Sequence, residues 1–321
     1  MELIDYHNST DYLRALRGSC ISNFHMIEYF DNIPEHLYKF KGFGKWNGKQ
    51  WQEDSFWKDS IIGVLYFSHP ADFNKNDPYD SKFTYNKKTI KEKLFSPLKE
   101  KYNRQQRREI MKGKLKNINV NNYINRLQKT SRICCFTEKD EKNKFMWNNR
   151  YFTSNGLGFC VKYKFGKDIF SPRSLTCLPV AYTNDKMDFT DELCLFMDLV
   201  QKYDNHFPVD DPNVIKFTYK ANAYTLIKKE QYQEEREWRI VVPNNRYEEY
   251  LTIKNKNGGN CKGNFLSAMK AIYINSKCCE IPDWNENYLS FIKNFIKYKS
   301  SPQNIDLFYY DEQTNSSSKI Q

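Results

Sequence analysis

Short apolar runs recur along the chain and predict a set of buried β-strands. The runs are rich in Val, Ile, Phe and Tyr and are bounded by polar or turn-forming residues. Several are apolar at nearly every position, which is typical of strands covered on both faces of a sheet. The predicted strands are 37–41, 64–67, 131–137, 157–163, 177–182, 238–242, 270–275 and 305–310.

Apolar residues at intervals of three and four predict helices between these strands. Residues 9–17 carry such a face and stop before Gly18. Further helices are expected at 51–60, at 191–203 with Thr190 as N-cap, and at 287–297. Because strands and helices do not alternate regularly, the order predicts an α+β fold with a mixed, mostly antiparallel central sheet and flanking helices.

The domain organisation follows from the same pattern and from the chain length. A chain of 321 residues accommodates one large domain, which we place at residues 1–310. Residues 84–130 interrupt the strands and predict a basic, mostly helical insertion. Residues 311–321 are polar and serine-rich, and are expected to form a disordered tail.

Positive charge is concentrated in that insertion. Residues 87–129 contain fourteen Lys or Arg against three Glu, an excess equal to that of the whole chain, which has 50 basic and 39 acidic residues. Such a segment favours contact with nucleic acid or another polyanion, and the alternative is a solvated helical insertion. The expected polyanion contacts are Lys101, Arg104, Arg107, Arg108, Lys112 and Lys114.

A crowded polar turn follows the strand at 64–67. Ser68 ends the strand, and Asn74, Asp77 and Asp80 follow within a few residues. Such a turn is either a structural loop braced by Asx side chains or part of a site.

Two acids stand at the entrance of the strand at 238–242. Glu235 and Glu237 project in the same direction because side chains alternate along a strand. Two neighbouring carboxylates raise the pKa of at least one of them, which makes proton transfer available near neutral pH. The alternative is a pair of surface acids neutralised by Arg236 or Arg239.

Several motifs occur together in the order and rough spacing of one protein family. They lie at 37–40, 67–80, 133–138, 146–147, 158–163, 235–239 and 271–275. The ordered set resembles the bacterial domain-of-unknown-function family 2971 over about residues 36–275. Lys75 and Asn76 interrupt one family motif, and residues 146–151 lack the family histidine. The resemblance implies that one pocket collects Ser68, Asn74, Asp77, Trp147, Glu235, Glu237 and Arg239.

Three shorter motifs resemble the ADP-ribosyltransferase superfamily. They are Tyr38 with Lys39 on an early strand, Phe67 with Ser68, and the pair Glu235 and Glu237. This resemblance implies NAD as substrate and an ADP-ribosyltransferase-like fold. It implies that Lys39 stands where the family has Arg or His and that Ser68 lies against the nicotinamide ribose. Glu237 is then the catalytic glutamate, and Glu235 lies near the acceptor.

The implied substrate and cofactor contacts extend beyond the catalytic acids. Aromatic rings such as Trp147 and Tyr151 are able to stack on nicotinamide or adenine, and the alternative is that they belong to the core. The full set of expected contacts is Tyr38, Lys39, Asn74, Asp77, Trp147, Tyr151 and Arg239.

Three functions are consistent with these features. The first is an NAD-using, ADP-ribosyltransferase-like toxin or phage-defence effector that modifies a protein acceptor. The second is a non-catalytic module that binds nucleic acid or a partner through residues 87–129. The third is a metal-dependent nuclease in which Asp77, Asp80, Glu235 and Glu237 hold Mg²⁺ or Mn²⁺.

Composition excludes several other classes. Glycine is scarce, at 12 residues, and no Walker or dinucleotide-binding motif occurs. The nine cysteines include no Cys-x-x-Cys pair, so we predict neither a zinc site nor a disulfide framework, and no metal cofactor. No apolar run reaches membrane-spanning length and the N-terminus lacks a signal peptide, which predicts a cytoplasmic protein without a membrane partner.

Overall fold

The structure is a computed structural model that describes residues 6–17, 33–73, 80–81, 83–95, 102–106, 109, 122, 124, 128–129, 131–165, 176–203, 208, 211–214, 217, 223–243, 261–299 and 304–320. Its strands are β1 (Leu37–Gly42), β2 (Gly44–Trp46), β3 (Trp51–Glu53), β4 (Val64–Phe67), β5 (Phe83–Thr84), β6 (Ser131–Thr137), β7 (Gly158–Tyr163), β8 (Thr176–Pro179), β9 (Ala181–Tyr182), β10 (Met187–Asp188), β11 (Ile227–Lys228), β12 (Glu237–Pro243), β13 (Cys261–Asn264), β14 (Met269–Asn275), β15 (Asp306–Asp311) and β16 (Ser316–Lys319). Its α-helices are α1 (Thr10–Arg17), α2 (Trp57–Ile61), α3 (Pro70–Phe73), α4 (Lys87–Phe95), α5 (Lys144–Asn148), α6 (Thr190–Tyr203) and α7 (Ser290–Lys299).

Eight strands form one sheet in the order β16-β15-β14-β7-β1-β6-β12-β8. Within it only β14 and β15 run parallel, and the other neighbouring pairs are antiparallel. The predicted α+β fold with a mixed, mostly antiparallel sheet is therefore confirmed. Each run predicted as a strand lies in a strand of the structure, although the run at 177–182 is divided between β8 and β9.

The two faces of the sheet are covered differently. On one face a single large core includes Leu37, Phe136 and Trp238, against which α2 and α7 pack through residues such as Trp57 and Ile292. The opposite face, which we call the polar face, carries two separate cores. The second core joins Leu178 and Val241 to α1 and α6, and the third joins Tyr38 and Tyr273 to α5. Strands β6 and β12 form the part of the polar face between the second and third cores.

The helices differ in detail from the prediction. Residues 51–53 were expected to begin a helix, but they form β3, which pairs with β2 in a hairpin, and α2 begins only at Trp57. Thr190 is the first residue of α6 rather than its N-cap: its hydroxyl accepts from the backbone N–H of Asn86 and donates to the carboxylate of Asp188. The longest described helix is α6, with 14 residues, and no helix in the described ranges is long and apolar enough to cross a bilayer.

The start of the basic segment packs on the body of the protein. Helix α4 buries Ile90, which is 1% exposed, in the second core, and Lys93 lies 2.6 Å from the carboxylate of Asp191 on α6. The first turns of the predicted insertion therefore contribute to the core.

The C-terminal residues form a strand where the sequence predicts a disordered tail. Strand β16 pairs antiparallel with β15 from Asp311 to Phe308, and Lys319 forms an ion pair of 2.6 Å with Asp306. The polar composition that suggests disorder fits an edge strand, because edge strands face solvent and commonly carry lysine. The prediction for residues 311–321 is wrong in this respect.

Candidate functional site

Strand register brings several candidate residues to the polar face. Thr137 on β6 pairs with Tyr38 on β1 and with Glu237 on β12, so these three side chains form one row across three strands. Arg239 pairs with Cys135 and belongs to the next row on the same face. Directly paired residues in an antiparallel sheet project from the same face. The catalytic glutamate implied by the sequence thus lies between the second and third cores.

Arg239 is the centre of a buried ionic cluster. It is 0% exposed, and its guanidinium donates two bonds to Asp80, of 2.9 and 2.8 Å, and two to Glu237, of 2.8 and 3.1 Å. It also donates to the carbonyl of Thr225 and to the hydroxyl of Ser81. A planar guanidinium suits such bidentate contacts. The position of Glu237 is therefore fixed by Arg239 rather than by solvent.

Lys228 joins the third carboxylate to this cluster. Its ammonium lies 2.6 Å from Glu235, 3.2 Å from Glu237 and 3.9 Å from Asp80. The cluster therefore contains three carboxylates and two cations, and all five side chains are less than 10% exposed. With every group ionised it carries one excess negative charge in a poorly solvated place.

The backbone around Arg236 sets the geometry of the two acids. Glu235 ends a short 3₁₀ helix, Glu230–Glu235, and Arg236 then adopts a left-handed conformation with φ of 45°. The turn directs Glu235 back toward Lys228 while Glu237 begins β12. The backbone N–H of Glu237 donates to the hydroxyl of Tyr182 at 2.8 Å, which supports the strand at this point.

The two glutamates have opposite pKa shifts. Burial raises the pKa of Glu235 to about 7, against the attraction of Lys228. Burial also opposes ionisation of Glu237, but the charges of Arg239 and Lys228 outweigh it and lower the pKa of Glu237. The excess negative charge of the cluster therefore falls on Glu235, which is the carboxyl group able to exchange a proton near neutral pH.

Ser68 shares the polar face but stands apart from the acids. Its backbone forms a bridge with Ile133, which in turn pairs with Val241. Ile133 precedes Thr137 by four residues on β6, so Ser68 and Glu237 are separated by about 13 Å along the strand direction, at about 3.3 Å per residue. The described contacts of Ser68 are these backbone bonds.

Described residues on both sides of the predicted polar turn contact Arg239. The ring of Phe73 on α3 lies 5.4 Å from its guanidinium, and Asp80 binds it directly. Asn74 and Asp77 lie outside the described residues, so their predicted roles stay predictions.

Lys39 does not face the acid pair. It alternates with Tyr38 along β1, so its side chain projects from the opposite face, where the ammonium donates to the carbonyl of Cys135 at 2.8 Å and lies over the ring of Phe136. Lys39, which stands where the superfamily motif has Arg or His, therefore does not line one cleft with Glu237, because neighbouring residues of a strand point to opposite faces.

Trp147 and Tyr151 are also separated from the acids. Trp147 is 0% exposed, stacks on Tyr310 at 5.1 Å, and donates its indole N–H to the carbonyl of Glu141. It belongs to the third core and has no free ring face for a ligand, so its predicted substrate contact is wrong. Tyr151 is 62% exposed and pairs with Arg150.

Of the six predicted polyanion contacts, the structure describes Arg104, which is exposed at one end of a helical turn. The remaining five, Lys101, Arg107, Arg108, Lys112 and Lys114, lie outside the described residues.

Lys228 belongs to the cluster but is not among the residues that the sequence motifs indicate. It lies on the two-residue strand β11, whose pairing with β9 brings it beside Glu235. A lysine directly after the apolar pair Leu226 and Ile227 was the available signal, because a charge at the end of a buried run usually has a partner.

The oxygens of the acids already have cationic partners. Asp80, Glu235 and Glu237 each contact Lys228 or Arg239, which occupy positions that a divalent cation would take. Elsewhere in the described ranges no group of three or more His, Cys, Asp or Glu side chains is arranged to hold a metal ion.

Comparison with known proteins adds no relative. No family model, no curated protein and no solved structure matches the chain.

Proposed function

We propose that this protein is an NAD-using enzyme of the ADP-ribosyltransferase type, with Glu235 and Glu237 as its acids. The observation that carries the proposal is the buried cluster in which the two glutamates share Lys228 but have opposite pKa shifts. A pair of carboxyl groups whose pKa values are driven apart by their surroundings supports a division into acid–base and electrostatic roles.

The placement of other residues supports the same proposal. Tyr38 and Glu237 lie in one row across β6, and Ser68 lies on the same face, in the order that the motif resemblance implies. The mixed, mostly antiparallel sheet agrees with the proposed ADP-ribosyltransferase-like fold.

The proposed chemistry assigns one step to each acid. The bond between the anomeric carbon of the ribose and the nicotinamide nitrogen breaks, nicotinamide leaves with the bonding electrons, and the ribose becomes oxocarbenium-like. The negative charge of Glu237 stabilises that cation, with little water to screen it. The acceptor nucleophile then bonds to the anomeric carbon and gives its proton to Glu235, whose pKa near neutrality suits a general base.

The test measures nicotinamide released from NAD, with and without a cell extract as the source of acceptor. Glu237→Gln is expected to lower the rate by about 10²- to 10³-fold, the usual loss for one preorganised electrostatic contact. Glu235→Gln is expected to lower transfer to the acceptor more than nicotinamide release, and to remove the dependence of transfer on pH near 7.

Glu234 provides a matched control because it is adjacent and exposed. Glu234→Gln should keep the full rate. The proposal fails if the wild-type protein releases no nicotinamide under either condition, or if Glu234→Gln loses as much activity as Glu237→Gln.

A further inference from the structure

A large cleft lies at the end of the sheet where β1 finishes and β7 begins. Its volume is about 1400 Å³, and its lining includes Lys39 and Lys41 from β1 and the chain around Tyr151. Gly42 lines the cleft and pairs with Gly158 across the two strands. A Cβ on Gly42 would meet the Ser154 hydroxyl at 2.8 Å, so glycine permits the neighbouring turn to close over the strand ends.

The lining of the cleft carries net positive charge. Five basic side chains line it against the three acids Glu53, Asp54 and Glu280, and the basic residues are Lys39, Lys41, Lys45, Arg150 and Lys277. Lys41 is balanced by Asp54 at 3.5 Å. Lys45, on the β2–β3 hairpin, and Arg150, next to Tyr151, both line the cleft and are exposed. These two cations are well placed to contact an anionic ligand.

Exposed aromatic rings are concentrated in the same cleft. Trp46, Phe56 and Tyr151 are 49%, 43% and 62% exposed, and all three line it. They make up half of the six large apolar side chains that are exposed in the described ranges. The guanidinium of Arg150 already lies 4.8 Å from the centre of the Tyr151 ring, which shows that this ring presents a face to a planar cation.

We propose that this cleft binds single-stranded nucleic acid. Aromatic platforms interleaved with cations recognise single strands, because bases stack on the rings while phosphates contact Lys and Arg. The volume exceeds the roughly 300–1,000 Å³ of ordinary small-molecule pockets and accommodates more than one nucleotide. The lining contains none of Asp80, Lys228, Glu235, Glu237 and Arg239, so this site is separate from the proposed catalytic cluster.

The experiment measures binding of a fluorescent ten-nucleotide oligo(U) and oligo(dT) by anisotropy over a range of salt concentrations. Stacking contributes about 1–3 kcal/mol per base, so Trp46→Ala and Tyr151→Ala should each weaken binding by about 5- to 150-fold. Lys45→Gln and Arg150→Gln should each reduce the slope of log K against log salt by about 0.7, the value for one single-strand phosphate contact.

Matched controls come from another surface and from the basic segment. Lys297 and Tyr298 on α7 form an exposed cation–ring pair at 4.8 Å, equivalent to Arg150 and Tyr151, and Tyr298→Ala should leave binding unchanged. Arg104→Gln tests the basic segment and should have a smaller effect than Tyr151→Ala. All variants alter exposed side chains, and unchanged thermal unfolding verifies that they fold.

Four results would overturn the proposal. They are an absence of oligonucleotide binding, equal affinity for AMP and the decamer, equal affinity for duplex and single strand, and cleft variants that behave like Tyr298→Ala. Release of nicotinamide from NAD is measured in parallel. Because the cleft lining contains no residue of the acid cluster, Trp46→Ala should leave that rate unchanged, so either proposal can fail without the other.

Discussion

Glu235 should make the protein less stable as the pH rises from acid to neutral, and glutamine at this position should remove that loss. Glu235 is 5% exposed and lies 2.6 Å from Lys228, while Glu237 and Asp80 already balance the two cations of the cluster. Ionising Glu235 therefore adds an unbalanced buried charge. Glutamine has nearly the same shape, stays neutral, and keeps a hydrogen-bonding oxygen for Lys228.

The sign and size of this change in the free energy of unfolding follow from the pKa of Glu235, which rises from 4.5 in a solvated chain to about 7 in the folded protein. A raised pKa means that the folded state prefers the protonated acid. Its stabilising contribution is fully present below pH 4.5 and is lost as the pH rises through 7. The shift corresponds to about 3 kcal/mol at 1.36 kcal/mol per pKa unit.

Urea denaturation followed by tryptophan fluorescence measures this difference at pH 4.5 and at pH 8.5. We expect Glu235→Gln and wild type to have similar free energies of unfolding at pH 4.5, and the variant to be more stable by about 3 kcal/mol at pH 8.5. Other titrating groups are common to both proteins and cancel. The exposed control Glu234→Gln should follow wild type at both pH values. A variant that is less stable than wild type by the same amount at both pH values would refute the reasoning.

Three further predictions concern burial and pairing. Arg239→Met should lower the free energy of unfolding by about 3–5 kcal/mol, because it leaves buried carboxylates unpaired. The exposed control Arg14→Met should leave the midpoint of urea unfolding unchanged, and equal midpoints for the two variants would contradict the buried cluster. Trp147→Ala should lower the free energy of urea unfolding by about 3–5 kcal/mol, and Tyr151→Ala should not change it measurably. A larger loss for Tyr151→Ala than for Trp147→Ala would contradict the burial of Trp147 in the core. Ile90→Ala should lower the free energy of unfolding, measured with urea, by about 2–5 kcal/mol. A deletion that starts at residue 90 should therefore destabilise the whole protein, and an unchanged unfolding midpoint would show that α4 does not contribute to the core.

The sheet could be predicted because its central strands are buried on both faces. The runs at 133–136 in β6 and 240–242 in β12 are continuously apolar, and that pattern depends only on neighbouring residues. Strands β3 and β16 could not be predicted because they are short, polar and exist through pairing with β2 and β15. Propensity in such strands is weak compared with the hydrogen bonds supplied by the partner strand.

The candidate site could be predicted only where its residues share one strand. Glu237 and Arg239 are two residues apart on β12, so strand periodicity alone places them on one face. Asp80 reaches the cluster from a segment 159 residues before Arg239, and local sequence carries no information about that meeting. Lys228 is only seven residues from Glu235, but its place depends on the pairing of β11 with β9. The position of Lys39 relative to Glu237 could not be predicted for a related reason. It depends on the register between β1 and β6 and between β6 and β12, which the local sequence does not determine.

The burial of Glu237 changes what its glutamine variant can show. A sequence-based expectation is that Glu237→Gln leaves stability nearly unchanged, but the carboxylate is held by Arg239 and Lys228 in a 5% exposed position. Removing its charge should cost about 3–5 kcal/mol, because a buried cation loses its partner. Lost activity in this variant therefore has two explanations, local chemistry and a destabilised fold.

The double variant Glu237→Gln/Lys228→Met separates them. It removes one negative and one positive charge, so its loss of stability should be smaller than the sum of the two single losses by about 0.5–3 kcal/mol, the usual coupling of contacting residues. If Glu237 stabilises a transition state, nicotinamide release per folded molecule is equally low in Glu237→Gln and in the double variant, because the stabilising charge is absent from both. If Glu237 is only structural, the rate in each variant follows its fraction of folded protein. Recovery of the rate in the double variant would therefore remove Glu237 from the proposed mechanism.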